Sequence, residues 1–375
     1  MSNSVGLYVH VPFCSSKCDY CAFASWAGSE GAIDSYVEAV LLEMKLKRAR
    51  GELSAVGTIF IGGGTPSILP AEFIARIIEE ADPKSGAEIT VECNPESTSA
   101  RKLQSYKNAG VNRISLGLQS FSSEMLKSLG RSHDPSEIYL AVDAIGRTGI
   151  DNYSVDLIYG AARESAAVLE ETIRKVFDLS PAPTHISAYA LTVEKNTPLA
   201  KDRSRYPDED YQASAYRMID EAFSAHGMQW YEISNWSLPG SYSRHNWNYW
   251  MQGEYVGVGC SSHSHLRSRR SWNTFNFKRY TSIAGAGDDP EAGCEQLSGD
   301  ERVIEALELL LRTRVGVPAS AISGFDDVAF LCDVVDGVAV LNLQGRLLAN
   351  QVSLRLDPAQ VEVAEVRRFQ SRFPV

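Results

Sequence analysis

Cys14, Cys18 and Cys21 place three thiols within eight residues, directly after the run Leu7-Tyr8-Val9-His10-Val11-Pro12-Phe13. Thiols this close cannot all bridge one another, and three is an odd number. The grouping therefore reads as thiolate ligands converging from one loop on a single inorganic centre. An iron–sulfur cube usually takes four cysteines, so a set of three leaves one iron open to a small molecule. The other reading of the same residues is a structural zinc, with His10 or a distant cysteine as fourth ligand. His10 shares a strand face with Tyr8 and Pro12, and the second ligand pair of a common zinc finger is missing. The segment Ile59-Phe60-Ile61-Gly62-Gly63-Gly64-Thr65-Pro66 favours the iron–sulfur reading. Three glycines at a strand end let backbone N–H groups approach a ligand closely, and they could hold the amino acid end of a molecule lying on the open iron.

These residues need elements to hold them. Short β-rich runs at 7–12, 58–62, 88–94, 113–119, 153–159 and 185–191 alternate with amphipathic stretches near 32–50, 70–81, 98–109, 135–148 and 165–179. Such alternation predicts βαβ units and a parallel sheet, and six units suggest an open, partial barrel. The polar residues gather at one end of the strands. Cys14 follows the first run and the glycines the second, Glu92 and Asn94 end the third, Gln119 ends the fourth, Asp156 lies in the fifth, and Tyr189 and Ala190 lie in the sixth. In α/β barrels the carboxyl ends of the strands share one mouth, so a site is expected there.

Further on, a strand-like segment at 229–233 leads into 234–250, dense in Trp, Asn and Tyr. The stretch 266–280 interleaves Arg267, Arg269, Arg270, Lys278 and Arg279 with Trp272, Phe275, Phe277 and Tyr280. A junction is expected in the Gly-, Asp- and Pro-containing segment 285–299. Ser298 and Glu301 form a capping box for a helix to about residue 314, opening a small acidic helical or winged module over 298–375.

At 375 residues the chain can bury one large domain and a small one. No apolar run is long enough to cross a bilayer, no signal peptide is visible, and the scattered Cys93, Cys260, Cys294 and Cys332 suggest a reducing cytoplasm. A net charge of −11 argues against a general nucleic-acid binder.

The pattern Cys14-x3-Cys18-x2-Cys21, with Tyr20 before the third cysteine and Gly62-Gly63-Gly64-Thr65-Pro66 downstream, resembles the radical S-adenosylmethionine superfamily. The match continues through Glu92-Cys93-Asn94-Pro95, Ser115-Leu116-Gly117-Leu118-Gln119-Ser120-Phe121, Gly130-Arg131-Ser132-His133 and Asp156-Leu157-Ile158-Tyr159-Gly160. Over most of residues 5–265 it looks like the oxygen-independent coproporphyrinogen oxidase group. The resemblance implies an α/β fold, a partial (β/α)6 radical SAM barrel over 1–285 with the module 298–375 attached. It implies a [4Fe–4S] cluster on the three cysteines whose open iron chelates S-adenosylmethionine. One-electron reduction, from a flavodoxin- or ferredoxin-like donor, would then cleave the sulfonium to a 5′-deoxyadenosyl radical. Carried residue by residue, it makes Tyr8, Tyr20, Gly63, Gly64, Thr65, Glu92, Gln119, Arg131, Asp156 and Ala190 contacts to that ligand. Glu92 and Asp156 can accept ribose hydroxyls, Arg131 can pair with a carboxylate, and Tyr20 can pack beside adenine. Arg131 and Asp156 read equally well as members of structural ion pairs.

Two departures bear on function. The oxidases carry a further cysteine two residues after the third, where this chain has Phe23, and a long extension before the cluster, where Cys14 is nearly at the start. Both point to the paralogous haem-chaperone group, as does His245-Asn246-Trp247-Asn248-Tyr249-Trp250, which matches its His-Asn-x-x-Tyr-Trp pattern. His245 could offer an imidazole to haem iron while the aromatics cover the macrocycle, which makes 234–265 the haem-binding candidate segment. The same residues also read as an aromatic core loop in which His245 bonds a carbonyl. His133 and His263 are further imidazoles in family-like loops, and the 266–280 stretch reads first as a solvated helix face, otherwise as a surface for haem propionates or RNA. The expectation is a haem chaperone, monomer or dimer, carrying haem as cargo to acceptor proteins, respiratory ones among them, in the cytoplasm and with peripheral docking at a membrane left open. Catalysis is left open too. The main rival is oxidative decarboxylation of coproporphyrinogen III to protoporphyrinogen IX; a redox-sensing or nucleic-acid-modifying radical protein is a third reading.

Overall fold

Alternation of apolar and polar side chains within each β-rich run gives the sheet two unlike faces, because successive side chains of a strand point to opposite sides. The computed structural model describes residues 4–372. In it β1 (Val5–Val11), β2 (Val56–Gly63), β3 (Glu88–Cys93), β4 (Arg113–Gln119), β5 (Asn152–Tyr159) and β6 (His185–Ala190) lie side by side in that order, all parallel. Helices α1 (Ile33–Ala49), α2 (Ala71–Ala81), α3 (Ala100–Asn108), α4 (Ser123–Ser128), α5 (Pro135–Thr148) and α6 (Ala166–Phe177) connect them. The six runs and five amphipathic stretches read from the sequence all become elements of the expected type; short α4, after β4, is an added helix, and a two-residue strand pair, Phe13–Cys14 with Trp26–Ala27, brackets the cysteine loop.

Leu7, Val9, Ile59, Ile61, Val91, Ile114, Leu116, Val155 and Ile186 form the apolar face and join Val40, Met44, Ile77, Leu103 and Ile145 of the helices in one buried cluster. The other face is polar. Tyr8 and His10, Glu88 and Glu92, Arg113 and Ser115, Ser154 and Asp156, and His185 and Ser187 take the alternate positions. An α/β barrel interior is usually filled by branched aliphatic side chains, so this lining is built for hydrogen bonds. Local signals set helix ends: Asp134 and Glu137 make a capping box on α5, and Gly149 ends it in the left-handed region at φ +65°.

The sheet extends at both edges to twelve strands. Beyond β6 lie β7 (Gln229–Glu232) and β8 (Asn235–Ser237), β8 antiparallel to both β6 and β7. Helix α7 (Glu209–Ala225) precedes them, and α8 (Arg244–Trp250) follows. On the other side β9 (Tyr255–Val258) pairs parallel with β1, followed by antiparallel β10 (His263–Leu266), β11 (Arg269–Asn273) and β12 (Glu291–Gln296). The result is an open sheet, a partial barrel. Residues 269–273 of the stretch that read as a helix face are therefore strand β11, and only 277–280 enter a helix, α9 (Phe277–Gly285). Strand β12 runs through the segment where a junction was expected.

Ser298 caps α10 (Gly299–Leu311) reciprocally with Glu301, as the sequence indicated. After it, β13 (Val317–Pro318), β14 (Cys332–Val335) and β15 (Val338–Leu341) form a small antiparallel sheet ordered β13-β15-β14. Its apolar cluster also takes in Tyr231 and Trp247. Among the described residues no helix is long and apolar enough to cross a membrane.

Candidate cofactor site at the mouth of the sheet

Strand β1 delivers the chain to Cys14, and the end of β2 is laced to it. The Gly64 N–H donates to the Val11 carbonyl at 2.7 Å and the Thr65 N–H to the Phe13 carbonyl at 2.7 Å. A β-carbon on Gly64 would lie 2.5 Å from Phe13 O and 3.0 Å from Cys14 Sγ, and one on Gly63, at φ +115°, would lie 2.6 Å from the His10 ring. These two glycines are required by close approach. Cys14 is buried, Cys18 and Cys21 are partly exposed, and all three are free thiols. Burial raises the pKa of Cys14 and Cys21, and the neighbouring Cys18 raises both further, so the thiols feel one another's charge. A bound cation reverses that repulsion and keeps thiolates deprotonated.

Among the described residues no three Cys, His, Asp or Glu side chains are close enough to grip a single metal ion. The ligands of a cube sit on different irons and stand farther apart than the ligands of one ion. His10, the zinc alternative's fourth ligand, has both ring nitrogens occupied, by the Ala24 carbonyl at 2.8 Å and Tyr8 Oη at 3.0 Å. Near the strand ends, Arg131 Nε, Gln119 Oε1 and Glu96 Oε2 are buried without a hydrogen-bond partner, and Arg131 reaches the Cys18 thiol. Soft thiolate donors beside unfilled hydrogen-bonding capacity fit an iron–sulfur centre with a polar ligand.

The remaining contacts carried over from the resemblance, His245 excepted, gather along the same strand ends. Glu92 accepts the Gly63 N–H at 3.0 Å. Its pKa is pushed up to about 7, by burial first and by the nearby charge of Asp156 second. Asp156 accepts Ser115 Oγ at 3.0 Å and Ser154 Oγ at 3.4 Å, and burial raises its pKa. Arg131 donates to the Gly117 carbonyl at 3.1 Å and reaches Cys18 Sγ at 3.5 Å. Among the described residues neither Asp156 nor Arg131 is in a direct ion pair. Charges act on both over a longer range: Arg113 lowers the Asp156 pKa against burial, and Glu96, after Cys18 and Tyr20, raises that of Arg131 against burial. Gln119 ends β4 at φ +56°, Tyr8 stacks on Phe60, and Thr65 accepts from Asn94 Nδ2 at 3.2 Å. Tyr20 packs on a satellite cluster of Met125, Leu129, Ala161, Leu191 and Leu199, next to a cavity of about 340 Å³, and Ala190 closes β6.

Residues 8–176 match the model of the radical SAM superfamily. Along 366 residues the chain is 35% identical to heme chaperone HemW of Mycobacterium tuberculosis, covering 92% of this chain and 93% of the relative. This chain belongs to the HemW family of radical SAM proteins. Heme chaperone HemW of Escherichia coli is 38% identical over 264 residues, 69% of each chain, and that of Bacillus subtilis 32% over 319 residues, 83% of this chain and 84% of the relative. In fold the chain resembles coproporphyrinogen III oxidase HemN of Escherichia coli, described as a radical SAM enzyme, with a TM-score of 0.79 at 20% identity over 94% of this chain and 89% of that one.

The pattern that singled out His245 in this HemW-family chain lies away from the mouth. Its imidazole packs among Gly6, Thr58 and Phe60, near the amino ends of β1 and β2. It is 0% exposed, with Nδ1 2.8 Å from Thr58 Oγ1 and Nε2 2.7 Å from Tyr249 Oη. Burial, and Arg113 second, lower its pKa to about 3, so it is neutral. It bonds hydroxyls, not the carbonyl of the core-loop reading. His133 bonds the Leu118 carbonyl beside Arg131, and His263 is exposed against Trp272. The serines that hold Asp156 escaped the sequence reading, although their alternation with apolar neighbours on β4 and β5 marks them for the polar face.

Proposed function

We propose that the protein is a haem chaperone that holds a [4Fe–4S] cluster through Cys14, Cys18 and Cys21 and binds S-adenosylmethionine along the strand ends. The observation that carries the reading is the extent of likeness to HemW of Mycobacterium tuberculosis, nearly end to end in both chains, beside a likeness to HemN that is one of fold. Phe23, 67% exposed, stands where the oxidase pattern has a cysteine. When bound, such a cluster supplies an open iron and a one-electron store. Gly63 and Gly64 let the end of β2 pack tightly against the cysteine loop where the ligand's amino acid end would lie, Glu92 and Asp156 accept its ribose hydroxyls, Arg131 offers an unpaired Nε, and Tyr20 shields the base. In this reading the radical SAM core spans 1–285 and the small module 298–375, with haem on 234–265, a flavodoxin- or ferredoxin-like electron donor, and haem-accepting proteins, respiratory ones included, downstream.

Ligation of haem iron by His245 uses one ring nitrogen and requires the ring to give up either Thr58 at Nδ1 or Tyr249 at Nε2. An anaerobic haem titration of the cluster-reconstituted protein, with His245→Ala in parallel, tests both points. Saturation at one haem per chain supports the chaperone, and its loss in the variant makes His245 a ligand or its support. Non-saturating binding, or turnover of coproporphyrinogen with release of deoxyadenosine, overturns the reading in favour of the decarboxylase.

A further inference from the structure

Asp19 sits inside the cysteine loop, between Cys18 and Cys21, and distant chain grips it on three sides. Its N–H donates to the Leu129 carbonyl at 3.1 Å, and its carbonyl accepts the Leu199 N–H at 2.9 Å. Its carboxylate pairs with Arg205, Nη2 to Oδ2 at 2.8 Å, and the same nitrogen donates to the Ser128 carbonyl. Gly130, at φ +71°, lies so near that a β-carbon there would stand 2.9 Å from Asp19 N and Oδ1. One residue on, Arg131 reaches the Cys18 thiol. The loop carrying two of the three thiols is thus fastened to chain more than a hundred residues away, through a salt bridge whose side chains are about two-thirds shielded.

A carboxylate in the loop that carries the thiolates, one residue after Cys18 and two before Cys21, opposes adding an electron to the centre they hold, because like charge penalises the more negative state. Net charge and hydrogen bonds around the sulfurs set the potential of such centres. Arg205 cancels that charge. We infer that Arg205 is a positioning residue that neutralises Asp19 and so sets the shape and reduction potential of the cysteine-loop centre. The inference rests on the cluster reading above, and concerns a pair that the superfamily pattern does not contain.

The test is a mediated dithionite titration, followed by electron paramagnetic resonance, of anaerobically reconstituted full-length protein with iron and sulfide counted. Four variants accompany it: Arg205→Gln, Arg205→Lys, Asp19→Asn and the double Asp19→Asn/Arg205→Gln. Charge compensation moves the potential down in Arg205→Gln, up in Asp19→Asn, and back towards the parent in the double variant and in Arg205→Lys. A purely structural strap gives a different result: iron falls alike in Arg205→Gln, Asp19→Asn and the double variant, with no opposite shifts. Fully loaded Arg205→Gln at the parent's potential overturns the inference. If Arg205→Gln does not load, Asp19→Asn, which keeps the arginine, decides by its upward shift or its absence. A parent protein that forms no [4Fe–4S] centre overturns the cluster reading itself.

Discussion

A single methyl group separates a working lip from a blocked one at Gly64. The added carbon would press on two backbone oxygens, Phe13 O at 2.5 Å and Val11 O at 2.9 Å, neither of which can swing aside as a side chain could. Gly64→Ala is therefore expected to keep the fold, read by circular dichroism, while binding less than half the parent's iron after reconstitution. Glu232 makes a second residue-scale test. It is 1% exposed, and burial pushes its carboxyl up to about 8 against Ser234 N–H and Asn235 as its hydrogen-bond donors. A carboxyl whose pKa rises on folding favours the folded state when protonated. That contribution is complete below the unfolded value near 4.5 and is lost as pH climbs through 8. Glu232→Gln should match the parent near pH 5 and exceed it above pH 8 by on the order of a few kcal/mol, measured by urea unfolding at both.

Helix α8 illustrates how elements are joined at the other end of the sheet from the thiols. The Arg244 and His245 N–H groups at its start donate to the two oxygens of Glu88 on β3, each at 3.0 Å, while the His245 ring ties β2 to Tyr249 one turn on. The carboxylate suits the positive end of the helix. His245→Ala leaves Thr58 and Tyr249 hydroxyls without their partner in a closed space, a loss of about 2–4 kcal/mol on chemical unfolding. That loss must be measured beside the haem titration, since unfolding would mimic a lost ligand. The pattern His-Asn-x-x-Tyr-Trp was legible in sequence, but its place was not: nothing local says which end of the strands a later helix will close.

At the scale of the molecule, the C-terminal module is pinned to the sheet by Arg346. Its guanidinium pairs with Asp220 of α7 at 2.6 Å and lies 3.9 Å over the Trp230 ring of β7, with both charged side chains mostly shielded. Arg346→Ala is expected to cost about 1–3 kcal/mol and to speed amide exchange in the segment 343–347 relative to β1–β6. An unchanged exchange pattern would leave the shared apolar cluster with Tyr231 and Trp247 as the main joint.

The alternation of strands and helices, the capping box at Ser298, and the thiol–glycine pairing of one loop with the next strand end could all be read along the chain. Each depends on periods and turns a few residues long, which neighbours in sequence set by themselves. Tertiary structure alone decided that β9 would lie parallel to β1 and lengthen the sheet, and that serines of two strands would hold Asp156. It alone placed His245 far from the cysteines, and put Arg205 against Asp19 across 186 residues. Contacts of that kind arise where the twist and order of a whole sheet bring strand ends together, and no local pattern encodes which ends will meet.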